Sequence, residues 1–385
     1  LLRYYAGIYE QNNGYEIPMK SPLAGEECRS ILRPYGVFAV ISPFNFPLAL
    51  ATGMAGGAII CGNSVVAKPS RITPLSLFAL SRLFSRAGLP EGVFSLVTGP
   101  GEEFGLSAVT DPLVSGIAFT GSRKAGMELY RGMAEKSPIP KPVIAEMGSK
   151  NPCIVTSHAD IEQAVEGIIR AAFGFSGQKC SATSRVYVDK KIAVPFLDTL
   201  KAGISRIVVG DPRDRTTFTG PVINRQAYDI FQRAVIDCRS AGASVEPSGS
   251  RLEGGLFDRG YYLTPVIATG VPPIHPLFYN ELFVPLLLVN TVDSLDEAIQ
   301  LANTSEYGLC AGIFSTDQAE LDLFFRDIRS GVCYANRSGG ATTGAWPGAQ
   351  PFGGWNASGT TGKGAGGHYY LLSFVREQSR TRIRG

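Results

Sequence analysis

At 385 residues, with 44% apolar and 18% charged side chains, the chain exceeds what one hydrophobic core supports and is expected to form two domains of an ordinary soluble enzyme. A formal net charge of +3 is small and dispersed, which argues against nucleic acid or a membrane surface as a partner. No apolar run reaches the roughly 18 residues that a membrane span needs, and no signal peptide is visible. The seven cysteines (Cys28, Cys61, Cys153, Cys180, Cys238, Cys310 and Cys333) are odd in number, scattered and never spaced C-x-x-C. That pattern points to a reducing, cytoplasmic setting and speaks against structural zinc, so no metal is expected. The chain opens on Leu1 and not on Met, so a preceding segment is expected to be missing.

In chain order, the polar stretch IPMKSPLAGEECRSILRPYG reads as an extended excursion or hairpin that leaves the domain body. Short β-branched runs then alternate with helical patterns: GVFAVIS, the helix-like LALATGMAGGAII, SVVAKP, PLSLFALSRLFSRAG, FSLVT, a helix from Glu102, GIAFTG, a helix from Ser122, and KPVIAEM. Such alternation predicts a parallel sheet covered by helices, and the near-continuous apolarity of the strands predicts burial on both faces. A second α/β series begins at NPCIVT. Its first helix opens on a capping box from Asp160 to Gln163, and another opens at Ser294 to Glu297 and is expected to end near Gly308. Residues 339–367 hold eleven glycines and two prolines with little periodicity, and read as a wrapping loop.

Three polar groups stand in turns at the ends of strands. Cys180, in FGFSGQKCSA, has Gln178, Lys179 and Ser181 for neighbours, and polar company with a cation lowers a thiol pKa. Its bland alternative is a small buried hydrophobe, which suits Cys61, Cys153, Cys310 and Cys333 better. Glu146 closes PVIAEMGSKNP beside Gly148, where ligands bind in an α/β sheet, although a helix cap or surface acid is the plainer reading. Asn45, between Pro43 and Pro47, is either a turn residue or an amide donor to an oxyanion. Thiol, carboxylate and amide are the parts of an acyl-enzyme site that works without histidine. His158, His275 and His368 supply no recognisable dyad with Cys180.

For a dinucleotide, Gly362, Gly364 and Gly367 fit G-x-G-x-x-G, but no strand precedes them and no helix clearly follows, so they are a decoy. Better candidates are Ser122 at a helix start, the turn from Gly99 to Gly105 that opens another helix, and Lys68 at a strand exit. Each alone is weak. Together in one parallel sheet they are what a dinucleotide needs.

Taken in order, SPFNFP, AKPS, FTGS, EMGSKNP, FGFSGQKCSA, ELFVP and QPFGGWNASG resemble the signature series of the NAD(P)-dependent aldehyde dehydrogenase superfamily over nearly the whole chain. Ser181 after the cysteine, ATTGAWPGAQPFGG and SGTTGKGAGGHYYLLSFVREQSRT are similar to the pyrroline-5-carboxylate dehydrogenases within it. The resemblance implies an α/β aldehyde dehydrogenase fold. Residues 1–16 and 36–147 would form a Rossmann-like NAD(P)-binding domain, 148–371 an α/β catalytic domain, and 17–35 with 372–385 a small β oligomerisation arm of a homo-oligomer, a dimer or higher. Judged by normal two-domain size, the absent N-terminal segment is on the order of a hundred residues.

By the same resemblance Cys180 is the nucleophile, Asn45 and the Cys180 backbone N–H form an oxyanion hole, and Glu146 is the general base. Lys68 would hold the adenosine ribose, Ser122 the pyrophosphate, and Glu281 with Phe283 the nicotinamide ribose, with Ser70, Arg71, Gly101, Phe119, Gly121 and Gly148 completing the cofactor set. Thr343, Gly344, Ala345 and Ser181 would anchor a substrate carboxylate, and Phe46 and Phe352 would flank its aliphatic chain. The implied reaction oxidises L-glutamate γ-semialdehyde to glutamate with NAD. Another semialdehyde such as succinate semialdehyde, a CoA-acylating dehydrogenase and a non-catalytic binding or assembly module are the alternatives, and Glu146 counts against the CoA reading. Two departures from the family pattern carry expectations. Arg71 stands where many members carry an acid, which makes NADP a possible cofactor. EMGS replaces the commoner Glu-x-Gly-Gly, so a position that needed left-handed backbone would be strained by Ser149.

Overall fold

The computed structural model describes residues 1–339 and 346–383, and the chain divides into two compact units at the bond between Met147 and Gly148. The first unit is Leu1–Met147 with 346–353 and 359–383; the second is 148–339 with 354–358.

The chain begins with α1 (Leu2–Gln11), then the strands β1 (Glu16–Met19) and β2 (Glu26–Pro34). A regular alternation follows: β3 (Val37–Ile41), α2 (Pro47–Ile60), β4 (Ser64–Lys68), α3 (Leu75–Arg86), β5 (Phe94–Leu96), α4 (Gly101–Thr110), β6 (Val114–Thr120), α5 (Arg123–Lys136) and β7 (Val143–Glu146). The second unit contributes β8 (Asn151–Val155), α6 (Ile161–Phe173), β9 (Thr183–Asp189), α7 (Ala193–Ser205), α8 (Arg225–Ser240), β10 (Ser244–Glu246), β11 (Val266–Thr269) and β12 (Leu286–Val292). It continues with α9 (Leu295–Asn303), β13 (Tyr307–Gly308), β14 (Cys310–Phe314), α10 (Gln318–Asp327), β15 (Val332–Ala335) and β16 (Trp355–Asn356), before β17 (Val375–Ile383) returns to the first unit. No helix among the described residues is long and apolar enough to cross a membrane.

Among the described residues the first unit holds a five-stranded parallel sheet in the order β5-β4-β3-β6-β7. Connections run to one side of β3 through β4 and β5, then to the other through β6 and β7, so the order reverses between β3 and β6. Ligands bind outside the carboxyl ends of strands at such a reversal. Phe38, Val40, Ile117 and Ala118 are fully buried, as strands covered on both faces require. Helix α2 is apolar nearly all round because it is buried between layers. A Cβ on Gly57 would lie 2.8 Å from Phe374, so glycine there lets a ring approach the helix backbone.

The segment 346–371 was expected within the catalytic domain, but 346–353 and 359–371 group with the first unit. The cause is the open edge of β7, which presents unpaired backbone groups. Thr360 covers that edge: its Oγ1 accepts from Ala145 N–H at 2.9 Å and donates to the Val143 carbonyl at 2.6 Å, while its own N–H donates to the Ala145 carbonyl at 3.1 Å. Strands β1, β2 and β17, which overlap the residues expected to form an oligomerisation arm, make a three-stranded antiparallel sheet. Its second limb starts later than 372, because residues 372–374 end a 3₁₀ turn whose Phe374 is fully buried in the first unit's core; residues 384 and 385 lie outside the described residues.

The second unit holds a seven-stranded sheet, β10-β11-β12-β9-β8-β14-β15, parallel except for β10. Asp160 caps α6 by accepting from Gln163 N–H at 3.0 Å, but the Gln163 side chain donates to the Asn336 carbonyl instead of closing the box. Ser294 caps α9, which ends at Asn303 and not near Gly308, since β13 and β14 occupy 307–314.

Candidate active site

In the first unit a cleft of about 900 Å³ opens at the carboxyl ends of β3, β4 and β6. Lys68, Ser70, Arg71, Gly101, Phe119, Gly121 and Ser122, all expected to hold a cofactor, line it. Two helix N-termini meet there. Ser122 is the N-cap of α5 and accepts from Ala125 N–H at 3.3 Å, and Gly101 begins α4. Helix N-termini offer free N–H groups and a positive dipole end. Lys68 is buried, donates to the Pro69 carbonyl at 3.0 Å, and has its pKa lowered by burial and then by Arg71. Cations beside two helix N-termini, in a cleft of this size, fit a dinucleotide's phosphates and ribose.

Also in the first unit, Asn45 is buried in the turn before α2, and Phe46 is that helix's N-cap. Glu146 ends β7, half-buried, where it bridges to Gly359 and accepts from Gly121 N–H at 3.1 Å through its carbonyl. Phe352 is buried and pairs with Ala365 in both directions, at 2.9 and 2.8 Å.

In the second unit Cys180 sits, half-buried, in the turn between a 3₁₀ segment and β9. The approach to it is unusual backbone. Phe175, Ser176 and Gly177 have φ of 58°, 55° and 69°, three consecutive left-handed residues, which L side chains avoid. Side chains hold this conformation in place. Ser176 N–H donates to Thr219 Oγ1 at 2.7 Å, Ser176 Oγ donates to the Gly220 carbonyl at 2.6 Å, and Gln178 Oε1 accepts from Ile223 N–H at 2.8 Å. Gly177 is required for room as well as for φ, since a Cβ would meet the Val284 carbonyl oxygen at 2.5 Å.

The Cys180 carbonyl accepts from Ser149 Oγ at 2.6 Å and from Asn151 Nδ2 at 2.7 Å. Ser149 N–H donates to Glu281 Oε1 at 2.8 Å. Neither Gly148 nor Ser149 lies in the left-handed region, so the strain expected at Ser149 does not arise. Gly148 is needed for space instead: a Cβ would stand 2.5 Å from Glu281 Oε2. Burial pushes the Glu281 carboxyl up to about 7, against the opposing Ser149 N–H and Lys150. Burial likewise pulls Lys150 down to about 7 and Lys179 to about 8, the latter offset in part by Cys180 and Cys310. Lys179 Nζ donates to the Arg170 carbonyl at 3.2 Å. Glu281, Phe283, Lys150 and Lys179 border a small cavity of about 20 Å³, and Ser181 is buried next to Cys180. Thr343, Gly344 and Ala345 lie outside the described residues.

Sequence reasoning missed Ser149 and Asn151 as supports of the Cys180 turn, although the Ser in EMGS was the visible signal. It also missed the left-handed run, which has no signature in FGFSG beyond its two glycines. His158 pairs with Glu320 at 3.0 Å on the surface, and His275 Nδ1 accepts from Leu277 N–H at 3.3 Å. Both have structural employment.

Residues 1–379 match the profile of the aldehyde dehydrogenase family, and the chain belongs to that family. Within it, the chain is similar to a 1-pyrroline-5-carboxylate dehydrogenase of Geobacillus sp. (strain WCH70), 36% identical over 361 residues, spanning 92% of this chain and 68% of the relative. A Thermus 1-pyrroline-5-carboxylate dehydrogenase solved with bound NAD superposes with a TM-score of 0.92 at 34% identity, covering 99% of this chain and 72% of that one. Proline utilization A (PutA) from Bdellovibrio bacteriovorus gives a TM-score of 0.91 at 34% identity over 99% of this chain, which spans 39% of that longer protein.

Proposed function

We propose that this chain oxidises L-glutamate γ-semialdehyde, the open form of 1-pyrroline-5-carboxylate, to L-glutamate. The observation that carries the reading is the similarity to a 1-pyrroline-5-carboxylate dehydrogenase, 36% identical over 92% of the chain. Cys180 provides the nucleophile: its thiolate sulfur adds to the aldehyde carbon, and the new oxyanion is met by the Asn45 amide and the Cys180 N–H. Nicotinamide dinucleotide, when bound, supplies the acceptor for the hydride leaving that carbon. Cys180 is left holding a thioester. Glu146 then takes a proton from water as the water oxygen attacks the thioester carbon, the C–S bond breaks, and the thiolate is restored with release of the acid. Glu281 and Phe283 hold the nicotinamide ribose, the cleft residues hold the rest of the cofactor, and Thr343, Gly344, Ala345 and Ser181 receive the substrate carboxylate, with Phe46 and Phe352 against its chain.

Arg71 in the cleft favours a second reading of the cofactor, in which NADP serves as well as NAD. The β1-β2-β17 sheet is proposed as an arm for self-association, supported by exposed Ile17, Met19, Leu23 and Ile383 along it. The test is steady-state oxidation of glutamate semialdehyde with NAD and NADP in parallel, beside Cys180→Ala and Glu146→Gln. Cys180→Ala should lose turnover, and Glu146→Gln should release one equivalent of reduced cofactor and then stall. Full turnover by Cys180→Ala would overturn the mechanism.

A further inference from the structure

We propose that Ser149 is a positioning residue that ties the turn carrying Cys180 to the Glu281 carboxylate. The inference rests on Cys180 being the nucleophile and extends that reading to what aims it. Cys180 lies in a turn, outside any sheet ladder, and its carbonyl is met by side-chain donors. Ser149 Oγ, itself buried, gives its one proton to that carbonyl at 2.6 Å and stands 3.1 Å from Asn151 Nδ2. Asn151 Nδ2 also reaches the Cys180 carbonyl at 2.7 Å and the Ala182 carbonyl at 2.9 Å, and Asn151 Oδ1 is taken by Cys310 N–H at 2.9 Å. The hydroxyl's proton therefore has one direction to point. From the same residue the backbone N–H holds Glu281 Oε1 at 2.8 Å.

One residue thus fixes two things by separable groups. The hydroxyl restrains the peptide that follows Cys180, and with it the ψ angle that helps to set where Sγ points. The main chain restrains the carboxylate proposed to bind the nicotinamide ribose. Glycine at 149 would retain the second contact and lose the first. With the hydroxyl gone, Asn151 Nδ2 still has two protons for two carbonyls, so the turn stays satisfied but loses its second restraint at Cys180.

The experiment compares Ser149→Ala, Ser149→Gly and Ser149→Thr with the unsubstituted protein, measuring first-turnover formation of reduced cofactor, the Kd for NAD and the melting midpoint, with Cys180→Ala as reference. Ser149→Ala and Ser149→Gly should slow the first turnover about tenfold, equivalent to ~1.4 kcal/mol, and leave the Kd for NAD within twofold because the N–H to Glu281 remains. Ser149→Thr, which keeps a hydroxyl, should recover most of the rate. A first turnover unchanged in Ser149→Ala would overturn the proposal, as would rate and melting midpoint falling together in all three variants. Turnover retained by Cys180→Ala would instead strike the nucleophile assignment, and is a separate result.

Discussion

Replacing Lys150 by methionine should remove a rise in stability between pH 7 and pH 9. Lys150 is buried, its Nζ has no hydrogen-bond partner among the described residues, and burial followed by Arg185 pulls its pKa from 10.5 down to about 7 against the opposing Glu281 and Cys238. The sign follows from proton counting. Between about 7 and 10.5 the unfolded chain keeps this proton while the native one has released it, so the unfolded state binds more protons and stability climbs with pH. It is lost again as pH falls toward 7. At ~1.4 kcal/mol per unit of pKa, and with the native group half-protonated at pH 7, the gain from pH 7 to pH 9 is about 2 kcal/mol. Glu281, raised to about 7, acts with its own pH dependence mainly below this window: its contribution is present below about 4.5 and lost as pH rises through 7. Cys61 and Cys153, raised to about 12, act above pH 9. The two thiols drop out of the comparison between the two proteins, whereas Glu281, which Lys150 holds down, moves higher when the ammonium is removed, so the variant loses stability with rising pH and the difference between the proteins widens. Urea unfolding followed by circular dichroism at pH 7, 8 and 9 measures the effect, with methionine keeping the length and apolar stem of the side chain. Parallel pH dependences for the two proteins would refute the reasoning.

Gly148→Ala should raise the Kd for NAD about tenfold, because its Cβ would force the Glu281 carboxylate out of a 2.5 Å contact; equilibrium fluorescence titration measures it, and an unchanged Kd would separate Glu281 from cofactor binding. Arg71→Glu should lower kcat/KM for NADP at least tenfold while leaving NAD little affected, since a charge-assisted contact to a 2′-phosphate contributes about 1.5–3 kcal/mol; steady-state kinetics with both cofactors would show it, and equal changes for the two would dismiss the assignment. Asn45→Ala should cost roughly 3 kcal/mol of transition-state stabilisation, read as loss of first-turnover rate, and a loss under threefold would remove Asn45 from the oxyanion site. Ile17→Lys with Met19→Lys should lower the mass found by sedimentation equilibrium if the exposed arm mediates self-association, and an unchanged mass would clear that sheet of the role.

The periodic content of the chain was legible in its residues because burial and periodicity are local. GVFAVIS, SVVAKP and GIAFTG had to be strands covered on both faces, and β3, β4 and β6 are. Ser122 and Asp160 had to cap helices, and both do. Lys68, Ser70, Arg71, Gly101 and Gly121 could be placed at strand exits or helix starts from the sequence, and a shared sheet brings them to one cleft. Less legible was the glycine-rich segment after residue 346. Its composition declared a loop, but which edge it would cover depended on the free carbonyl and N–H groups of β7, set by an element some two hundred residues earlier.

The sequence by itself determined the α/β class, the alternation of elements and the residue types needed for thiol chemistry, since each is encoded in spacing and in side-chain chemistry. Tertiary structure alone decided that Gly148 is needed for room and not for left-handed backbone, that Ser149 and Asn151 meet the Cys180 carbonyl, and that Lys150 and Glu281 share a buried setting that draws both toward pH 7. Those are contacts between residues up to about 130 positions apart, as with Ser149 and Glu281. Their energies come from desolvation and packing, which no local pattern carries.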